Sequence, residues 1–432
     1  MNVCDIINKT KHGQTLSYDE IKWLIDSYVS GEIPDYQISA WLMAVYFNPL
    51  SVEETKNLTL IMRDSGDVAD LCAVDGVTVD KHSTGGIGDK TTLVIAPVCA
   101  ACGIKVPKMS GRGLGFTGGT IDKLESIPGF NVSIDFEKYV GNINTVGASV
   151  ISQSGNLVPA DKKLYALRDV TATVDSIPLI CSSIMSKKLA TGSDCILLDV
   201  KTGSGAFMKN TEDAKKLAEL MVEVGNEAGK KCRAIITDMN QPLGKAAGNA
   251  LEVIEATEVL KGNEKGRLFD LCMTLSAHML ELAGKGSIDE CRKMAEEAVG
   301  NGSALGKFRD MITAQGGNAD FIDDYSLLPT ASHKLEIYAE KSGFISEINC
   351  EGIGNTALKT GAGRAKKEDG IDHGAGVIMN CEIGKAVAEG DLLMTLYSNS
   401  ENMLEAAAET ARKTVIISKE KPQTPPLVYN II

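Results

Sequence analysis

The apolar and polar positions of the first 65 or so residues read as helices with clear punctuation. Ser17 with Glu20 makes a capping box, Gly31 supplies a stop, Pro34 separates two helices, and Ser51 with Glu54 makes a second box ahead of Ile61 and Gly66. Trp23 and Trp41 sit among apolar neighbours and are expected to pack rather than to hold a cofactor. From Val77 the rhythm changes to short β-branched runs, glycine-rich loops and helices: VTVDK, HSTGGIGDK, TTLVIAPVCAAC ending at Gly103, KVPKMS and GRGLGFTGGT. Strand, loop and helix in repeated succession predict a parallel α/β layer. Two amphipathic helical stretches, Asp161 to Asp169 and Ile177 to Leu189, interrupt it. CILLDV, KTGSGAF, a helix from Thr211 to about Gly229, and AIITDM then resume it.

Beyond about Pro329, HKLEIYAEKSGFISEI and GVIMNCEIGKAVAEGDLLMTLYS read as short strands and tight turns. The turn GKAVAEGDLL is similar to those of biotinyl and lipoyl carrier domains, but the Met-Lys-Met pattern of an attachment site is missing, so a structural use is expected. The expected fold class is therefore α/β: a helical domain, a mixed α/β domain with glycine-rich loops, and a small C-terminal α+β domain. Length agrees, since 432 residues at roughly one domain per 150 suggest two or three.

Composition narrows the function classes. With 44% hydrophobic and 23% charged residues, the chain has the balance of a globular protein. A net charge of −13 without any long Lys/Arg run argues against a nucleic-acid partner, while a local cation cluster can still hold a small anion because screening removes distant charge within about 10 Å. No stretch of about 18 apolar residues predicts a membrane span, and the N-terminus lacks an apolar run after a basic start. Eleven cysteines, an odd number spread widely, suggest reduced thiols and a cytoplasmic location.

The candidate chemistry lies in two glycine-rich loops that each follow a predicted strand, where parallel α/β sheets bind ligands. Lys81 to Thr92 holds Gly85, Gly86 and Gly88; Lys108 to Thr120 holds five more glycines. Such loops bring backbone N–H groups and a helix N-terminus to an oxyanion. Lys81, Lys108 and the hydroxyls of Ser83, Thr92, Ser110 and Thr120 would add charge-assisted hydrogen bonds. A tight turn alone would explain one such loop, but two in succession with Lys and Ser/Thr at the strand ends favour phosphate. Gly88-Asp89-Lys90-Thr91 misses the P-loop pattern by one acid. Gly113 to Gly118 does satisfy the dinucleotide pattern with Asp135 downstream, yet Pro128 and Gly129 leave too short a helix behind it. His82 places a group that titrates near neutrality beside the presumed anion. Ser183 and Lys187, four apart on one helix, and Arg168 before them could face the carbonyl oxygens of a planar ring; spacing alone favours a solvated surface lysine instead. Cys99 and Cys102 form a lone C-x-x-C with nothing to complete a metal site and read as buried structural thiols.

VDKHSTGGIGDKTTL from Val79, KMSGRGLGFTGGTIDKLESIPGF from Lys108, LYALRDVTATVDSIPLICSSIMSKKLA, DVKTGSGAFMK and DMNQPLGKAAGNALEVIEA resemble the thymidine and pyrimidine-nucleoside phosphorylase family over nearly the whole chain. The resemblance implies cleavage of uridine, thymidine or deoxyuridine by inorganic phosphate as co-substrate, giving free base and a (2-deoxy-)α-D-ribose 1-phosphate, with no organic cofactor. It also implies a homodimer whose helical domain (1–66 and 160–192) carries the base side and dimer contact. The α/β domain (67–159 and 193–328) would hold phosphate, and 329–432 would form the C-terminal unit. Position by position, Lys81, Ser83, Thr92, Lys108, Ser110 and Thr120 would hold phosphate, Arg168, Ser183 and Lys187 the base, and His82 would assist the leaving base; His82, Arg168 and Lys187 are thus the expected catalytic group. Two positions depart from the family. Phe116 stands where a histidine is usual, and Lys90 stands where a threonine completes a potassium site otherwise matched by Gly88, Leu243, Ala246 and Glu255. Either the Lys90 ammonium replaces the ion, or Lys90 points outward and its carbonyl still serves the metal. Two rivals are less favoured: a phosphoribosyl transferase would need paired carboxylates for magnesium, and none is read beside the loops, while a non-catalytic phosphate sensor would have no use for His82 and the Arg168, Ser183 and Lys187 group.

Overall fold

The computed structural model describes residues 1–113, 118–153, 155–364, 366 and 369–432. The chain opens with α1 (Val3–Lys11), α2 (Tyr18–Ser30), α3 (Asp35–Phe47) and α4 (Val52–Arg63). Both predicted capping boxes form, at Ser17/Glu20 and Ser51/Glu54, and Gly31 ends α2 in the left-handed region at φ 88°. The Glu54 carboxylate also accepts from the Leu16 N–H at 2.7 Å, so one buried acid ends one loop and starts one helix.

The α/β layer follows: β1 (Val79–Ser83), α5 (Thr91–Ala101), β2 (Val106–Ser110), α6 (Thr120–Glu125), α7 (Phe136–Val146) and β3 (Ala148–Ser152). Next, α8 (Pro159–Asp169) and α9 (Ile177–Ala190) return to the opening helices. Val158, Leu164 and Leu179 share a core there with Ile21, Trp41 and Leu58. The layer resumes with β4 (Cys195–Thr202), α10 (Thr211–Glu227), β5 (Lys231–Asp238), β6 (Ala246–Ala247), α11 (Asn249–Leu260), α12 (Arg267–Leu282), α13 (Ile288–Gly300) and α14 (Ser303–Ala314). In the main sheet β1, β4 and β5 run parallel, and the register sets Lys81 beside Leu197 and Ser83 beside Asp199. β2 and β3 form a second parallel pair, joined to β1 by a bridge between Thr78 and Lys105.

The C-terminal segment comprises β7 (His333–Tyr338), β8 (Gly343–Ile348), α15 (Cys350–Ala357), β9 (Gly376–Met379), β10 (Ala386–Val387), β11 (Leu392–Ser398), α16 (Glu401–Ala411), β12 (Val415–Ser418) and β13 (Val428–Ile431). It is stitched to the α/β body rather than hung from it. β6 pairs with β9, setting Ala246 beside Ile378, and β13 closes the main sheet antiparallel to β5. One hydrophobic cluster accordingly runs from Val79 and Leu197 to Ile337 and Ile417. Among the described residues no helix is long and apolar enough to cross a membrane.

Candidate active site

The ends of β1 and β2 open into one cleft of about 760 Å³. Its α/β wall holds Lys81, His82, Ser83, Thr92, Lys108, Ser110 and Thr120, and its helical wall holds Tyr165 of α8 with Lys187 and Lys188 of α9. The sequence-predicted phosphate residues are thus brought together, with His82 among them and Lys187 opposite. Phe116 lies outside the described residues.

A buried charge is costly unless paired, and pairing organises this wall. Lys81 donates to Thr91 Oγ1 at 2.6 Å and lies 3.1 Å from Asp199 and 3.8 Å from Asp89. Thr91 in turn donates to Asp89 at 2.6 Å, so the first loop folds around the Lys81 ammonium. Asp80, fully buried, receives Lys108 on one oxygen at 3.3 Å and Lys188 on the other at 2.6 Å. Burial pushes the Asp80 carboxyl up, but these two ammonium groups hold it below the usual carboxylate range. Burial also lowers Lys108, to about 7, because Asp80 offsets it only in part while Lys188 and Lys81 repel the charge. His82 is half-buried among the same cations; burial first, then Lys188, Lys108, Lys187 and Lys81, push its imidazole well below the ordinary value. The ring is therefore neutral at physiological pH.

Two of the expected base residues do not line the cleft directly. Arg168 is buried, and its guanidinium donates to the backbone carbonyls of Thr173 (3.2 Å), Leu179 (3.0 Å) and Val174 (2.6 Å), which shapes the α8 to α9 connection. Ser183 is buried behind Lys187 and accepts from its ammonium at 3.0 Å. Lys187 is not the solvated surface lysine that spacing alone favours, since it also pairs with Asp161 at 2.5 Å. The half-exposed Tyr165 ring lies near two cations, 6.0 Å from Lys187 and 5.8 Å from Arg168.

Lys188, Asp80, Asp199, Asp161 and Tyr165 escape the sequence reading. One signal was available: β1 and β4 are buried strands, so Asp80, Lys81, Asp199 and Lys201 inside them had to find partners. Sequence also suggests no paired carboxylates beside the loops. Asp80, Asp89 and Asp199 do lie there, each against a lysine. Cys99 is buried and Cys102 half-buried, both unpaired, with burial raising the Cys102 thiol to about 11.

Gly88, Leu243, Ala246 and Glu255 do converge, on the Lys90 side chain. Its ammonium points inward and donates to Leu243 O at 3.0 Å, Ala246 O at 2.8 Å and Glu255 Oε2 at 2.5 Å. Gly88 (φ 73°) wraps the group so closely that a Cβ there would meet Leu243 O at 2.6 Å. This arrangement does not fit a potassium ion, because the oxygens that would hold it already accept ammonium protons.

Comparison with known proteins agrees in all three parts of the chain. Residues 5–66 match the glycosyl transferase family helical bundle domain, 75–305 the glycosyl transferase family a/b domain, and 344–418 the pyrimidine nucleoside phosphorylase C-terminal domain. The pyrimidine-nucleoside phosphorylases of Geobacillus stearothermophilus and Bacillus subtilis (strain 168) are 51% and 50% identical, with both chains covered completely. Among solved structures, anthranilate phosphoribosyltransferase from Thermus thermophilus matches at a TM-score of 0.60 and 19% identity, covering 72% of this chain and 99% of its own, a likeness of fold alone. Helical bundle, a/b domain and C-terminal domain, joined in that order and matched end to end by relatives at half identity, place the chain in the pyrimidine-nucleoside phosphorylase family.

Proposed function

We infer that this protein cleaves pyrimidine nucleosides with inorganic phosphate. A phosphate oxygen attacks C1′, the bond from C1′ to N1 of the base breaks with its electron pair going to the base, and free base and pentose 1-phosphate result. Family membership supports the reaction. The single observation that carries the residue roles is the cleft in which a lysine-rich anion wall faces Lys187 and Tyr165.

Phosphate is a weak nucleophile, so the protein must orient it and stabilise charge on the departing base. Lys81 and Lys108, preset by their carboxylates, and the hydroxyls of Ser83, Thr92, Ser110 and Thr120 would hold the anion. Lys187, oriented by Ser183 and Asp161, would face the base carbonyls, with Tyr165 under the ring. Arg168 commits three of its five donors to backbone and would keep that wall in shape while offering the rest. His82 is neutral in the field of four lysines; a bound phosphate offsets that field, raises the imidazole and readies it to protonate the leaving base. Bringing α8 and α9 towards the loops would join the reactants and exclude water, suppressing hydrolysis.

The same reading assigns residues 1–66 and 160–192 to the base side, 67–159 and 193–328 to phosphate, and 329–432 to the C-terminal unit. Tyr36 and Phe47, each 73% exposed on α3, support a homodimer formed through the bundle. Eleven unpaired cysteines are in keeping with a cytoplasmic location. A base-release assay with uridine, thymidine and deoxyuridine, with and without phosphate, tests the whole reading. Release should require phosphate, and no release from any of the three overturns it.

A further inference from the structure

We propose that the Lys90 ammonium is a tethered monovalent cation that fixes the first glycine-rich loop, so that this protein needs no potassium for stability or for phosphate binding. The inference rests on the phosphorylase reading only where activity is the readout.

An ammonium group carries three protons, and Lys90 has three acceptors for them: Leu243 O, Ala246 O and Glu255 Oε2. Two backbone carbonyls and a carboxylate aimed at one buried point repel each other unless a cation sits between them, and Lys90 is 1% exposed. Glu255 is itself held, accepting from the N–H groups of Lys245 and Ala246 at 2.6 and 2.9 Å. The acceptors belong to the segment that enters β6 and to α11, whereas Lys90 belongs to the first loop. The contact therefore ties the loop to the strand that starts the sheet β6, β9, β11 and β7.

Its neighbours in sequence carry the consequence. Asp89, one residue before, lies against Lys81; its backbone carbonyl accepts from Lys123 at 2.7 Å, and Lys123 pairs with Glu252 on α11 at 3.0 Å. Thr92, two residues after, lines the phosphate wall. Lys90 touches no reacting atom and acts as a positioning residue, placing Asp89 and hence Lys81 on one side and Thr92 on the other. A free ion could enter only by displacing the ammonium from the same three oxygens.

The full-length protein is compared in potassium-free buffer, with a large organic cation as counter-ion, and in the same buffer with KCl. Wild type should show the same melting temperature and the same phosphate KM in both. Lys90→Thr should raise the phosphate KM on the order of 10- to 100-fold without potassium, as displacements remote from the chemistry do. Added KCl should restore that KM and raise the melting temperature of the variant. Loss of wild-type stability or phosphate affinity on removing potassium overturns the inference, as does a Lys90→Thr protein indifferent to KCl. The wild-type comparison decides the matter if the variant does not fold. Absence of phosphorolysis in both buffers would count against the functional reading alone, because the melting comparison needs no turnover.

Discussion

Lys108 is the residue whose charge is most finely set. Its ammonium is held at about 7 by burial and by two neighbouring lysines, with Asp80 as the counterweight. The protonated fraction therefore falls as pH rises through 7, and if Lys108 holds phosphate as proposed, that hold should fall with it. Phosphate itself titrates in the same range, so a single pH profile would mix the two effects. Comparison with Lys108→Met separates them, because the ionisation of the ligand is common to both proteins. The ratio of the variant's phosphate KM to that of wild type should be largest below pH 7 and shrink above it, by at most about tenfold per pH unit. A ratio independent of pH would mean that Lys108 keeps its proton throughout.

At the scale of elements, the described ends of the second glycine-rich loop, Gly113 and α6, are tied together from two directions. Asp122, buried in the first turn of α6, accepts from the Gly113 N–H at 2.6 Å and from Arg364 of the C-terminal segment at 2.8 Å. Removing the guanidinium leaves a buried carboxylate short of a partner and frees the loop that carries Ser110 and Thr120. Arg364→Ala should thus raise the phosphate KM roughly tenfold, through about 1.4 kcal/mol of lost positioning, with Arg364→Lys restoring part of it. An unchanged KM would remove the C-terminal segment from any part in the site. Elements of this kind separate what was legible in the sequence from what was not. The capping boxes at Ser17 and Ser51, and the loops from Lys81 and Lys108, announce themselves because their signals are local. Lys188 does not, since its partner Asp80 is 108 residues away, and β6 does not, since two alanines carry no strand pattern until β9 lies beside them. Arg168 and Ser183 are expected from sequence to face a base, but whether they line the cleft depends on the turn that α8 and α9 make together, and both lie buried behind the wall.

In the whole molecule α9 joins two hydrophobic cores behind the helical wall of the cleft, while β1 and β2 of the facing wall pack into a third. Leu179 and Ala190 pack into the bundle, while Ile184, Met185 and Leu189 pack against Leu198 of β4 and Met221 of α10. Lys187 and Lys188 ride on this helix, so its offset from β4 bears on the distance from the helical wall to the glycine-rich loops. Besides this packing, the offset is fixed where the chain crosses between the bundle and the α/β body. The Asp67 N–H donates to Asn156 O at 3.0 Å and the Ala69 N–H to Ala190 O at 2.8 Å, binding the crossings together. Gly192 completes the exit from α9 at φ 82°, and a Cβ there would stand 2.4 Å from Ala69 O. Gly192→Ala therefore cannot be absorbed by a side-chain rotation; the backbone must move, and α9 must move with it. The expected result is a fall in kcat/KM for nucleoside on the order of 100-fold, as misplacement of this size brings. Phosphate binding, measured by calorimetry, should weaken far less, because Ser83, Ser110 and Thr120 are carried by the other wall. Equal losses in both would show that the crossing supports folding as a whole, and no loss in either would show that it does not set the spacing of the cleft.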